Sequence, residues 1–165
     1  MTHAQRFLIP VLVLLTAGGC ASYGPSDESI GLDRDRIIEK LGPPTHERIT
    51  ESGAVLEYAR GPYGRHTYFL ILNSASRVDR WEQVLHERNF NKILPGATKD
   101  QVRSLIGQSF EILPLARGRG EVWSYRYETP LCVWFQIEFD QQGLVRSAGD
   151  GIPPECLNRR WLMVF

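Results

Sequence analysis

Apolar positions along this chain follow a pattern that occurs twice. In Gly31-Leu32-Asp33-Arg34-Asp35-Arg36-Ile37-Ile38-Glu39-Lys40-Leu41-Gly42, Ile37 and Leu41 stand four residues apart and share one face of a short helix. In Gly96-Ala97-Thr98-Lys99-Asp100-Gln101-Val102-Arg103-Ser104-Leu105-Ile106-Gly107, Val102 and Ile106 do the same. Asp33 and Thr98 are the residue types that cap a helix start by accepting backbone N–H bonds. Gly42 and Gly107 end the helices, since glycine takes a left-handed turn at least cost. Pro43-Pro44 forbids continuation of the first.

Strand-like alternation follows each helix. The first set covers 54–60, 67–73 and 77–85; the second covers 121–128, 132–140 and 143–149. Val55-Leu56-Glu57-Tyr58 aligns with Val122-Trp123-Ser124-Tyr125, Asn73 with Asp140, and Val78 with Val145. The offset is 65 at the helix (Gly31 to Gly96) and 67 at the strands (Asn73 to Asp140). Two residues added in the loop between account for the difference, and an offset this consistent across a helix and three strands predicts a tandem repeat. Asp140-Gln141-Gln142-Gly143 reads as a hairpin turn. On the strand before it, Val133, Phe135, Ile137 and Phe139 alternate onto a core face, leaving Trp134, Gln136 and Glu138 on a wetter one. The predicted fold is α+β: two units, each a helix on a three-stranded antiparallel sheet. The first repeat spans 30–85 and the second 86–152, with a short helix expected over 86–93. A tail over 153–165 ends in the apolar Trp161 to Phe165, read as a docked terminal strand or as one offered to a partner's sheet edge.

The amino terminus adds a location. Arg6 precedes a mostly Leu and Val run of about ten residues, too short for a membrane span and right for a secretory signal. It closes on Leu15-Thr16-Ala17-Gly18-Gly19-Cys20, which resembles the lipobox of bacterial lipoproteins. That resemblance implies cleavage after residue 19, a covalent lipid on Cys20 and no other cofactor. Residues 20–29 are too poor in apolar groups to order themselves and read as a tether. Ala21, where an aspartate would mark inner-membrane retention, favours the outer membrane with the body facing the periplasm.

Composition narrows the functions. The chain is 42% hydrophobic and 23% charged, with 19 basic and 19 acidic residues, so its net charge is zero. Nucleic-acid binding, which requires a basic surface, is not indicated. With Cys20 lipidated, Cys132 and Cys156 remain; in an oxidising compartment they read as a disulfide pair, two buried thiols being the alternative. No close His/Cys spacing points to a metal. His46, His66 and His86 are scattered, and no nucleophile elbow is present, so neither catalysis nor a small-molecule substrate is expected. A hydrolase built on Cys132 is the distant exception. The Gly61-Pro62-Tyr63-Gly64 and Arg117-Gly118-Arg119-Gly120 segments read as loop punctuation. Aromatic supply favours binding: Tyr58, Phe69, Ile71, Trp81 and Trp134, with Arg117 and Arg119, are the candidate contacts to a protein partner. Filling a small core is the competing use for the apolar ones, as it is for Trp123, Tyr125 and Tyr127, which share one strand face.

The lipobox cysteine, the polar tether, Gly96 to Gly107, Trp123, Tyr125 and the Phe139-Asp140-x-x-Gly143 hairpin together resemble the BamE (SmpA/OmlA) family of outer-membrane lipoproteins. The first repeat departs from that pattern, with Asp33 for Thr, Ile37 for Val and Leu56 for Trp. Two such units in tandem resemble the architecture of the secreted β-lactamase-inhibitor protein. The resemblance implies helices on one side of an antiparallel sheet, no catalytic residues, and a scaffold or accessory role toward another envelope protein. The alternative it carries is a lipid-anchored inhibitor of a hydrolase.

Overall fold

A computed structural model describes residues 23–157. The first unit contains α1 (Arg34–Leu41), β1 (His46–Thr50), β2 (Gly53–Arg60), β3 (His66–Leu72) and β4 (Val78–Gln83). The second contains α2 (Glu87–Phe90), α3 (Lys99–Ile106), β5 (Glu111–Pro114), β6 (Glu121–Tyr125), β7 (Trp134–Phe139) and β8 (Val145–Gly151), and is followed by α4 (Pro154–Leu157). The strands form two antiparallel sheets, ordered β1-β2-β3-β4 and β5-β6-β7-β8. The fold is α+β, with four strands per sheet where three were expected. The additional strands, β1 and β5, are edge strands held by pairing with β2 and β6. The first is largely charged and the second ends on Pro114, so neither shows apolar alternation; their order comes from the neighbouring strand.

The duplication extends to individual hydrogen bonds. The Asp33 carboxylate accepts from the Arg36 N–H at 3.0 Å, and the Thr98 hydroxyl accepts from the Gln101 N–H at 3.2 Å. In the second unit the Gln101 side chain accepts in turn from the Thr98 N–H, closing a capping box. The Gly31 and Gly96 N–H groups donate to the carbonyls of Val78 and Val145, each at 2.8 Å. The Asn73 and Asp140 side chains each accept two backbone N–H bonds inside their hairpins. Sheet register shifts at Ile71/Leu72 and again at the equivalent Glu138/Phe139. Gly42 and Gly107 have φ of 79° and 82° with ψ of −176° and −165°. That backbone combines positive φ with extended ψ, a region essentially reserved for glycine, and differs from the left-handed helical turn expected. The Tyr58 hydroxyl donates to the Gly42 carbonyl and the Tyr125 hydroxyl to the Gly107 carbonyl, both at 3.1 Å.

Each helix covers one face of its own sheet. Ile37 and Leu41 pack on Leu56, Tyr58, Leu70, Leu72 and Val78. Val102 and Ile106 pack on Trp123, Tyr125, Ile137, Phe139 and Val145, a core enlarged by Leu85, Phe90 and Ile93. Phe90 stacks on Phe135 with ring centroids 4.0 Å apart. The other face of the first sheet is also covered: Val55, Phe69 and Val84 are buried there. The Glu57 carboxylate on that face accepts the Gln108 N–H at 2.9 Å, just beyond the end of α3. The second unit therefore seats the end of its helix on the outer face of the first sheet.

This tie is not repeated at the outer ends. Pro43 holds the position of Gln108 and has no N–H to donate. Ser124 holds the position of Glu57 and is bonded by Gln136 of its own sheet at 3.3 Å. Both halves of the contact are missing where a third unit would attach, which is how a stacked repeat limits its own growth.

The expected tether is partly docked. Residues 23–29 lie on the first unit through Arg60 to the Tyr23 carbonyl (3.1 Å), Trp81 Nε1 to Asp27 (3.3 Å) and Lys40 to Glu28 (3.3 Å). Polar contacts provide the order that the segment's own apolar content does not. Residues 1–19 and Cys20 lie outside the described residues, as does the Trp161–Phe165 end of the tail.

Candidate functional site

Two features lie where the units meet. The first is a cleft of about 520 Å³ between the outer face of the first sheet and α3. His46 and Arg48 come from β1, Val55 and Glu57 from β2, Phe69 from β3, and Asp100, Arg103 and Gln108 from α3 and the turn after it. Strand pairing explains the grouping: His46 stands opposite Glu57 and Arg48 opposite Val55, so all four face the same way. Arg48 lies over the Phe69 ring at 5.9 Å and, among the described residues, has no carboxylate in ion-pair range. Arg103 is fixed from three sides: over the Trp123 ring at 4.6 Å, to Asp100 at 2.9 Å and to the Gln108 side chain at 3.3 Å.

Glu57 is only 4% exposed. Burial pushes its carboxyl above the usual carboxylate range, and the Gln108 N–H, His46 and Arg48 only partly oppose that. Glu121 on β6 behaves in the opposite way: its bond from Lys99, 2.8 Å away, holds its carboxyl below the usual range. Glu57 and Glu121 are both strand glutamates, and their different surroundings give them different chemistry.

The second feature is an aromatic and arginine cluster. Phe110 sits between Tyr63 (5.3 Å) and Trp134 (4.9 Å), and the Arg126 guanidinium lies 4.3 Å from the Tyr63 ring and 5.1 Å from the Trp134 ring. Glu155 of α4 pairs with Arg126. Tyr63 is 58% exposed and has a φ of 59°, a rare backbone state for a bulky residue. Cys132 and Cys156 stand at disulfide distance, with Cα atoms 6.2 Å apart, and tie α4 to the segment before β7. So paired, Cys132 carries no thiol for the nucleophilic role left open above.

The residues expected to contact a partner separate into groups. Tyr58 is fully buried with its hydroxyl on Gly42, so it is a core residue and not a surface contact. Trp123, Tyr125 and Tyr127 are buried as well. Trp81 packs at the edge of the first core against Tyr68. Phe69 and Ile71 belong to the outer face of the first sheet, and Phe69 floors the cleft. Trp134 does lie on the face opposite the core but is 8% exposed, because Phe110 and Arg126 cover it. Arg117 and Arg119 are exposed on the turn between β5 and β6, with Arg119 bonded to the Ala116 carbonyl at 3.2 Å.

Sequence reasoning missed Glu57, Arg48, Arg103, Tyr63 and Arg126. A signal existed for Glu57, an acid in the middle of a strand whose alternate positions are already filled by Leu56 and Tyr58. Among the described residues no group of three or more His, Cys, Asp or Glu is arranged to hold a metal, and no helix is long and apolar enough to cross a membrane.

No protein-family profile and no curated protein matches the chain. Among solved structures it is similar to an extracellular protein containing an SCP domain from Bacillus anthracis, at 14% identity and a TM-score of 0.30. The match covers 97% of this chain, which spans about half (53%) of that one.

Proposed function

We propose that this protein is a lipid-anchored, periplasm-facing outer-membrane lipoprotein that binds another envelope protein as a scaffold or accessory, related in design to the BamE family. The observation that carries the reading is the Tyr63–Phe110–Arg126–Trp134 cluster. Tyr, Trp and Arg are the residues that dominate binding energy at protein interfaces, and rigid aromatics lose little entropy on contact. Tyr63 is held in a strained backbone state at the exposed edge of that cluster, and such strain concentrates at functional sites. On the face of the second sheet away from α3, Gln136 and Glu138 are half-buried, Ser124 is buried, and Trp134 is covered by Phe110 and Arg126. A sheet face whose tryptophan is covered supports a scaffold over an inhibitor that grips through an exposed aromatic sheet.

The test is in-membrane cross-linking with a photoreactive side chain at position 63, and others at 119 and 134. An adduct with an envelope-assembly protein is expected from position 63, and the adduct from position 119 should be lost on Tyr63→Ala. Recovery of a periplasmic hydrolase instead would favour the inhibitor, and no adduct would remove the reading. A Cys20→Ala protein should leave the membrane fraction; retention there would remove the lipid anchor.

A further inference from the structure

We infer that the cleft between the first sheet and α3 receives a carboxylate carried on an apolar body, presented by the partner polypeptide as an acidic side chain or a free carboxy terminus. This rests on the protein-binding reading above but uses a different surface. Its volume of about 520 Å³ lies within the range of ligand-holding clefts. The floor is apolar, made by Val55 and Phe69. The charge on the walls is unevenly neutralised. Arg103 is oriented by Asp100, Gln108 and Trp123, whereas Arg48 lies over Phe69 with no acid in ion-pair range among the described residues. Arg103 has Nε on Gln108 and Nη1 on Asp100, which leaves Nη2 to donate, and Arg48 on the facing strand has its guanidinium over Phe69; guanidinium N–H groups are the donors that suit a carboxylate.

The base of the cleft discriminates further. Glu57 gives one oxygen to the Gln108 N–H. The second Glu57 oxygen accepts no hydrogen bond among the described residues and can take an N–H from a peptide backbone. A polypeptide offers that N–H next to its carboxylate; a free inorganic anion does not.

The experiment is an amide and guanidinium NMR titration of the folded chain. Three blocked peptides serve as probes: one with a single glutamate beside a phenylalanine, its glutamine counterpart, and one ending in phenylalanine with a free carboxylate. Inorganic phosphate is the fourth probe. A saturating shift of the Gln108 amide and the Arg48 and Arg103 Nε–H signals is expected with either acid. The glutamine peptide should bind at least tenfold more weakly. Which acid binds better identifies the source of the carboxylate. Arg48→Met and Arg103→Met, with undisturbed spectra elsewhere, should each weaken binding about tenfold. Equal binding of the glutamate and glutamine peptides, equal shifts with phosphate, or no shift at millimolar probe would overturn the inference. A position-63 cross-link that persists while the titration fails would sink the cleft assignment alone; a working titration without any cross-link would sink the partner assignment alone.

Discussion

Gly42 and Gly107 provide a matched pair of perturbations. Their backbones are alike, with φ near 80° and ψ near 180°. An alanine at either site is forced into a region nearly closed to side chains, at a cost of about 1–3 kcal/mol. The surroundings differ. A Cβ on Gly42 meets nothing within 4 Å, whereas one on Gly107 falls 2.8 Å from Glu57 Oε1 and 3.1 Å from Thr67 Cγ2. Glu57 must then withdraw and release the Gln108 N–H, a hydrogen bond to a carboxylate worth about 1.5–3 kcal/mol. Gly107→Ala should therefore destabilise by about 1.5–3 kcal/mol more than Gly42→Ala. In urea denaturation, with a slope of about 2 kcal/mol/M, that difference is roughly 1 M in midpoint. Adding Glu57→Ala to both variants should shrink the gap, since it removes the group that collides. Two alanine variants within about 0.5 kcal/mol of each other would refute the seam as described, and a gap that survives Glu57→Ala would place its cause elsewhere.

Other tests follow from the same contacts. Tyr58→Phe and Tyr125→Phe each remove a hydroxyl bond to a helix-ending carbonyl; losses of about 1 and about 2 kcal/mol are expected, the larger at Tyr125, whose hydrogen bond is buried where that of Tyr58 is part-buried, and calorimetry would expose a reversed order. Because the folded state raises the Glu57 carboxyl above its unfolded value, its contribution is greatest below the ordinary glutamate range and is lost as pH rises through the folded value. Glu57→Gln should accordingly gain relative stability from acidic toward neutral pH in pH-stepped urea melts, and an advantage that grew on acidification would contradict the burial argument. Glu121 has the opposite sign: Glu121→Gln should cost stability near neutral pH and progressively less on acidification. Cys156→Ser opens a cross-link between residues 24 apart in sequence, for which chain entropy gives about 3.5 kcal/mol. Thiol-specific labelling of the unreduced folded protein at Cys132 or Cys156 would show that no such link forms.

The amino-acid sequence alone determined the repeat, the ends of both helices, six of the eight strands and the core face of β7. Each of these rests on local chemistry: a cap three residues from the N–H it accepts, a glycine where φ is positive, an alternation that turns every second side chain inward. The edge strands β1 and β5 were beyond it, because their order is lent by β2 and β6. Only the tertiary structure decided what the outer face of the first sheet is for. Glu57 meets Gln108 across 51 residues, and Trp134 is covered by Phe110 and Arg126, so an acid and an aromatic that look like surface residues become buried. Sequence periodicity records which way a side chain points within its own element, and not which other element arrives to cover it. The cleft and the aromatic cluster are products of that arrival, which is why they become visible only once the two units are seated together.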